Sequence, residues 1–351
     1  MTPVPVLIDC DPGIDDAIAL LLAFASDEIT VEGVTTVAGN VGIAQATANA
    51  AQVLDAAGAP PSLPLVPGFG GPLARPERVP DEPVHGPGGL GGVTLPASRR
   101  TPAPGGAHAV HRLAAQLRSR PGTRTLIALG PLTNVAGLLH QYPEAAEWVR
   151  EIVIMGGAAF VPGNVTAAAE FNFHADPEAA RYVLESGAPV RLVPLDVTRR
   201  AEVTRESADA LAALGGTTAY AGRMLAHLAD RVAERERAAA ERRRVLTGAG
   251  WPHGGPAPEP AGPVRTGDPV AVARVHDALA VAAVLRPGLL GWTPAAASVE
   301  CAGELTRGAL VADVHGRTGR EMTTLVATDV DADAFAALLA ERLASYAEES
   351  A

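Results

Sequence analysis

Lysine is absent from this 351-residue chain; all 28 basic residues are arginine. Its absence excludes chemistry that needs a lysine: Schiff-base catalysis, the phosphate-gripping lysine of a P-loop, and the lysine of aspartyl-phosphate enzymes. Cysteine is nearly absent too. Cys10 and Cys301 stand far apart, in no Cys-x-x-Cys or Cys/His spacing, which argues against a thiolate zinc site and against a structural disulfide. Aromatic residues make up 4% of the chain against 48% hydrophobic residues, so the core must be built from Ala, Val and Leu. No apolar run approaches the roughly 18 residues needed to span a bilayer, and the N-terminus has no basic region ahead of an apolar one. A soluble cytoplasmic protein with no membrane partner is expected. Positive charge is outweighed: the formal net charge of -11 disfavours a nucleic-acid backbone as partner and leaves small neutral ligands and metal cations open.

What is present begins with alternation. Val4 to Asp9 is a short β-rich run, Asp15 to Ala25 is apolar at helical spacing, Val31 to Val37 is β-branched, and Val41 to Ala57 is helical again. Short strands alternating with helices predict an α/β fold with a mostly parallel central sheet flanked by helices, in one domain spanning residues 1–351. Ligands of such sheets bind beyond the carboxyl ends of the strands. Further strands are expected at Arg124 to Leu129, Ile152 to Met155, Val190 to Leu195, Arg307 to Val314 and Met322 to Thr328. Helices are expected at Pro177 to Ser186 (capped by Asp176), across 203–245, from Asp277 to Leu285, and from Ala332 to Ala347. Residues 58–106 read as a long loop. Residues 248–268, rich in Gly and Pro, read as an irregular excursion placed to cover a pocket.

The strongest chemical signal is Asp9-Cys10-Asp11-Pro12-Gly13-Ile14-Asp15-Asp16. Four carboxylates within eight residues repel one another unless a cation sits among them, and their oxygens suit calcium or magnesium rather than zinc. An Asp-x-Asp after a hydrophobic strand also opens the phosphoaspartyl phosphatase motif of the haloacid dehalogenase type. Gly13 stands where that motif has Thr or Val, however, and no lysine follows. Gly86-Pro87-Gly88-Gly89-Leu90-Gly91 matches Gly-x-Gly-x-x-Gly formally, but no strand precedes it and no helix start follows, so no dinucleotide site is expected. The run from Arg231 to Arg244 alternates with Glu234, Glu236 and Glu241 and reads as a solvated helix face.

Asp9 through Ala19, DCDPGIDDAIA, resembles the N-terminal signature of the inosine-uridine preferring nucleoside hydrolases, and the likeness continues in order along nearly the whole chain. Gly39-Asn40, His85-Gly86 with Gly89-Leu90, the Gly130-to-Asn134 GPLTN turn, Met155-Gly156-Gly157, Asn164, Glu170-Phe171-Asn172, His276-Asp277-Ala278-Leu279-Ala280 and Gly303 to Gly308 are each similar to family segments. Ala278 departs from the proline usual in its segment.

The resemblance implies a calcium-dependent enzyme that splits ribonucleosides into ribose and free base, working as a homodimer or homotetramer. It implies Asp11, Asp16, Asp277 and the backbone carbonyl of Leu129 as calcium ligands, with Asp11 taking a proton from the attacking water. It implies Asp15, Asn40, Asn164, Glu170 and Asn172 at the ribose hydroxyls, His85 near the base, and His276 as proton donor to the leaving base. A phosphatase and a non-catalytic ribose-binding relative are the alternatives. The helix before His276 lacks the aromatic that family members often present to the base, so purine versus pyrimidine preference stays open.

Overall fold

The computed structural model describes residues 2–74, 84–100, 108–248 and 271–348. The Gly/Pro-rich excursion expected at 248–268 lies, apart from Gly248, outside the described residues.

The chain opens in the alternation that the sequence predicts, β1 (Val4–Cys10), α1 (Ile14–Phe24), β2 (Ile29–Thr36) and α2 (Ile43–Ala56), and the expected strands β4 (Thr125–Ala128) and β5 (Glu151–Met155) follow; β3 (Leu65–Pro67) and the helices α3 (Ala109–Ser119), α4 (Thr133–Gln141) and α5 (Ala145–Trp148) were not expected. There follow α6 (Phe171–Ala175), α7 (Pro177–Leu184), β6 (Val190–Val193), α8 (Leu195–Thr198), β7 (Glu202–Thr204), α9 (Arg205–Ala212), the long α10 (Gly216–Gly248), β8 (Val272–Arg274) and α11 (His276–Leu285). The chain closes through β9 (Leu290–Val299), β10 (Leu310–Asp313), β11 (Thr324–Val330) and α12 (Ala332–Glu348).

One nine-stranded sheet organises these elements, in the order β10-β9-β11-β6-β5-β4-β1-β2-β3, while β7 and β8 form a separate antiparallel pair. From β3 to β11 the pairings are parallel; β9 runs antiparallel to both β11 and β10. Parallel strands need helical crossovers, and these cover both faces of the sheet. One core packs α1, α10, α11 and α12 against one face, and a second packs α3, α4 and α7 against the other. Val6 and Ile8 of β1 point into the first core and Leu7 into the second, the alternation of a doubly buried strand. The chain starts at β1, moves outward through β2 and β3, then returns to β4 on the other side of β1. That reversal opens a crevice past the carboxyl ends of β1 and β4, the usual ligand position in such sheets.

Several sequence expectations shift. The helix expected over 203–245 is two helices, because the chain turns through Gly215 at φ +85° before α10 begins. The stretch read as one loop from 58 contains the parallel edge strand β3. The strand β9 has no counterpart in the sequence reading.

Candidate active site

The site grows from the turn after β1. Gly13 caps α1, and the Asp16 carboxylate folds back over that turn, accepting the backbone N–H of Asp11 at 3.1 Å and of Gly13 at 3.0 Å. Asn40, at the end of β2, ties the cluster from the other side. Its backbone N–H donates to Asp11 Oδ2 at 2.6 Å and its side-chain amide to Asp16 Oδ2 at 3.2 Å. The Asp11 carboxylate lies so close to the backbone that a Cβ at Gly39 or Gly130 would overlap it. These two glycines provide the space in which it sits. Beneath the cluster, Asp9 accepts from Thr35 Oγ1 at 2.5 Å and from the Asn134 amide at 2.8 Å, which gives the last residue of the GPLTN turn a structural task.

Asp277, on the first turn of α11, brings a further carboxylate. One oxygen from each of Asp15, Asp16 and Asp277 lies within 4.8 Å of the others, and all three residues are buried. Burial, with repulsion from Asp16, pushes Asp11 well above the ordinary carboxylate range. Burial does the same to Asp277, with repulsion from Asp15, Asp16 and Asp11. Burial pushes Asp15 and Asp16 up to about 6. Asp11 Oδ1 and Asp15 Oδ1 are buried without a hydrogen-bond partner. Buried carboxylates crowded in this way, with oxygens left unsatisfied, are the donor set of a hard cation. Asp15, expected at the ribose, therefore also stands among the possible ligands.

The opposite wall comes from the ends of β4 and β5 and from α6. Glu170 caps α6: its carboxylate accepts from the backbone N–H groups of Asn172 at 2.9 Å, Gly157 at 2.9 Å and Phe173 at 3.2 Å. Burial outweighs those three bonds and raises its pKa to about 6. The Asn172 amide donates to the Leu129 carbonyl at 2.7 Å and to the Met155 carbonyl at 3.1 Å, binding the ends of β4 and β5 together. Leu129 keeps a second lone pair for another partner. Asn164 is exposed and accepts from the Phe171 N–H at 3.0 Å.

Two histidines face this wall. His85 Nδ1 accepts from the Ile14 N–H at 3.1 Å, which leaves its proton on Nε2, 3.7 Å from Asp15 Oδ1. Burial holds it toward the neutral form, at about 4. His276 Nδ1 lies 2.8 Å from the Thr198 hydroxyl; burial, then Arg274 and Arg199, lower its pKa to about 3.

A cavity of about 580 Å³ joins these groups. Asp15, Asn40, His85, Leu129, Asn164, Glu170, Asn172, His276 and Asp277 all line it, whereas Asp11 and Asp16 lie beneath its floor. The sequence reading missed its far wall. Leu228, Val232, Arg235, Glu236, Ala239 and Arg242 of α10 line the cavity, with Arg199 and Arg274 beside them. The run read as a solvated face thus turns one side to the pocket, at spacings that follow the helical period; Arg231 and Glu234 do pair on the outer side, at 2.7 Å. Tyr220 packs under Arg223 and is not part of the cavity lining.

A carboxylate cradle beside a polar-walled cavity, set at the switch point of a doubly wound sheet, defines a class of metal-assisted hydrolase acting on small molecules. The comparisons with known proteins specify it. Residues 6–337 match the family model of the inosine-uridine preferring nucleoside hydrolases, and the chain belongs to that family. It is an enzyme of the N-glycosyl hydrolase class. It is 37% identical over 343 residues to the pyrimidine-specific ribonucleoside hydrolase RihA of Citrobacter koseri, covering 98% of this chain and 99% of that one. It is 36% identical over 340 residues to the non-specific ribonucleoside hydrolase RihC of Escherichia coli, covering 97% and 98%. Among solved structures, the purine-preferring ribonucleoside hydrolase from Gardnerella vaginalis superposes with a TM-score of 0.82 at 27% identity, covering 98% and 99%.

Proposed function

We infer that this enzyme hydrolyses the N-glycosidic bond of ribonucleosides with calcium as its metal. The observation that carries the reading is the buried group of Asp15 and Asp277 at the floor of the cavity with Asp16 just beneath it. Asp16, Asp277, Asp11 and the Leu129 carbonyl hold the cation, with Asp15 beside them. All of these donors are oxygens, as calcium prefers. The bound cation supplies Lewis acidity toward the attacking water.

The chain's own residues do the rest. Asp11, clamped by Asn40, accepts the proton of the attacking water. N-glycoside cleavage, like O-glycoside cleavage, passes through an oxocarbenium-like sugar, and the carboxylates of Asp15 and Glu170 place negative field around it. Asn40, Asn164 and Asn172 hold the ribose hydroxyls with Asp15 and Glu170; because the Asn172 amide hydrogens lie on the Leu129 and Met155 carbonyls, its Oδ1 is the atom left for the sugar. Val84, Leu195, Leu228 and Val232 provide an apolar surface for the base. His85 lies beside it, and His276 presents an N–H to the leaving base. Named relatives differ in base preference, pyrimidine-specific, non-specific and purine-preferring, so kinship favours no base. A homodimer or homotetramer is the assembly the family resemblance implies.

The deciding experiment measures reducing-sugar release from a panel of ribonucleosides before and after chelation. Release is expected with calcium, is expected to vanish on exhaustive chelation, and is expected to return on calcium addition. Asp277→Asn should abolish both turnover and calcium binding by calorimetry. Full activity after chelation, or p-nitrophenyl phosphate hydrolysis without nucleoside cleavage, would refute the reading.

A further inference from the structure

The cavity is electrically two-sided. Asp15 and Asp277 at its floor and Glu170 on the wall built by α6 carry carboxylates, while the wall formed with α10 carries four guanidinium groups, those of Arg199, Arg235, Arg242 and Arg274. Glu236 is the one carboxylate on that far wall among the described residues. It accepts from Arg274 at 2.5 Å, and Glu202, across the β7–β8 pair, accepts from Arg274 at 3.4 Å. Arg235 has interactions of its own. Arg199 is different. It is half-buried, and it donates to a neutral acceptor, the Gly163 carbonyl, at 2.8 Å. The nearby Asp196 turns both of its oxygens to the backbone N–H groups of Ala159 and Phe160. Guanidinium has five N–H donors in a planar fork, so Arg199 has donors to offer the cavity. Burial, and after it the nearby Arg274, disfavour the charge of Arg199, with Asp196 opposing them. Arg274 already holds Glu236 and Glu202, so among the described residues it is Arg199 whose charge, on a partly desolvated wall, is left for an incoming anion to balance.

We propose that the pocket recognises a nucleoside bearing an anionic group outside the ribose ring, held by Arg199 with Arg274 and Arg242. This rests on the nucleoside hydrolase reading and names the substrate class within it. Two sources share that chemistry: a base that is ionised at neutral pH, such as an acidic oxopurine or a carboxylated pyrimidine, and a 5'-phosphate. Gly163 precedes Asn164, one of the ribose contacts, so the wall borders the sugar as well as the base. The charge is present in the ground state and the transition state alike, so the preference belongs in Kd and KM rather than in kcat.

The test compares matched pairs: orotidine with uridine, xanthosine with inosine, and inosine 5'-monophosphate with inosine. Calorimetric Kd and KM are measured on the calcium-loaded protein at low and high salt. The anionic member of at least one pair is expected to bind about tenfold tighter, with the advantage shrinking as salt rises. An advantage in the first two pairs assigns the anion to the base; an advantage confined to the third assigns it to the phosphate. Arg199→Gln should erase most of the advantage, and Arg242→Gln, at an exposed position that folding tolerates, should reduce it. The proposal is overturned if the neutral member binds as well in every pair, or if neither substitution changes the ratios. Because binding is read separately from turnover, an enzyme that cleaves none of these compounds would sink the hydrolase reading while the ratios still decided this one.

Discussion

At the residue level, the site depends on side chains that are missing as much as on those present. Gly39 and Gly130 leave the volume that the Asp11 carboxylate fills. Gly130→Ala adds one methyl group where that carboxylate now lies, so the carboxylate must swing away from its bond to Asn40. Turnover is expected to fall by about 100-fold, the scale of a misplaced catalytic base, while circular dichroism stays that of the native fold. Unchanged kcat would show that Asp11 is not the base. His276 offers a second measurement. A purine or pyrimidine leaves poorly without a proton or a hydrogen bond, whereas p-nitrophenoxide leaves readily. His276→Ala should therefore slow inosine or uridine hydrolysis by roughly 100-fold and spare p-nitrophenyl riboside. Equal loss on both substrates would mean that His276 merely positions Asp277.

Secondary-structure elements explain what the sequence made legible. The acidic turn after β1, Asn40 after β2 and Asp277 at the start of α11 stand beside strongly patterned strands and helices, whereas Glu170 and Asn172, on the five-residue α6 that no sequence pattern announces, were legible through the family resemblance alone. Arg199 and the cavity face of α10 could not, because their placement depends on how α10 packs across the sheet, and an Arg/Glu alternation looks the same on either side of a helix. The strand β9 was hidden for another reason. Leu290–Val299 reads LGWTPAAASV, poor in β-branched residues, and is extended because β11 and β10 pair with it on both sides. Asp176, by contrast, was legible as a cap and does more than cap. Besides the Ala179 N–H at 3.1 Å, it accepts from the Thr133 hydroxyl at 2.7 Å and the Leu73 N–H at 2.9 Å, joining α7 to α4 and to the loop after β3. Asp176→Ala removes the cap and strands buried donors, so urea unfolding should show a loss of about 2–4 kcal/mol. A loss under ~0.5 kcal/mol, the range of ordinary surface substitutions, would show that solvent replaces those bonds.

For the molecule as a whole, the carboxylate cluster couples stability to metal and to pH. Burial raises Asp15, Asp16 and Glu170 to about 6 in the metal-free protein, above their values in an unfolded chain. The folded state therefore holds protons that the unfolded state has released. The stability this provides is complete below the unfolded carboxylate range and is lost as pH rises through about 6. Chelated protein should accordingly show a falling Tm from about pH 4 to above 6, where the unfolded carboxylates have already ionised. Calcium should raise Tm most at the upper end of that window, because a bound cation takes over the role of the protons. A Tm profile identical with and without calcium would argue against a cation in the cluster.

The two edges of the sheet carry a consequence for assembly. The outermost strands are short: β3 has three residues and ends in Pro67, and β10 has four. A proline offers no N–H to a newcomer, and so few backbone groups cannot template another chain's strand. Copies of this enzyme are thus steered away from joining sheet to sheet. Any assembly of copies would therefore meet through helices and loops, and strand-by-strand growth into fibrils is a poor route even in concentrated solution.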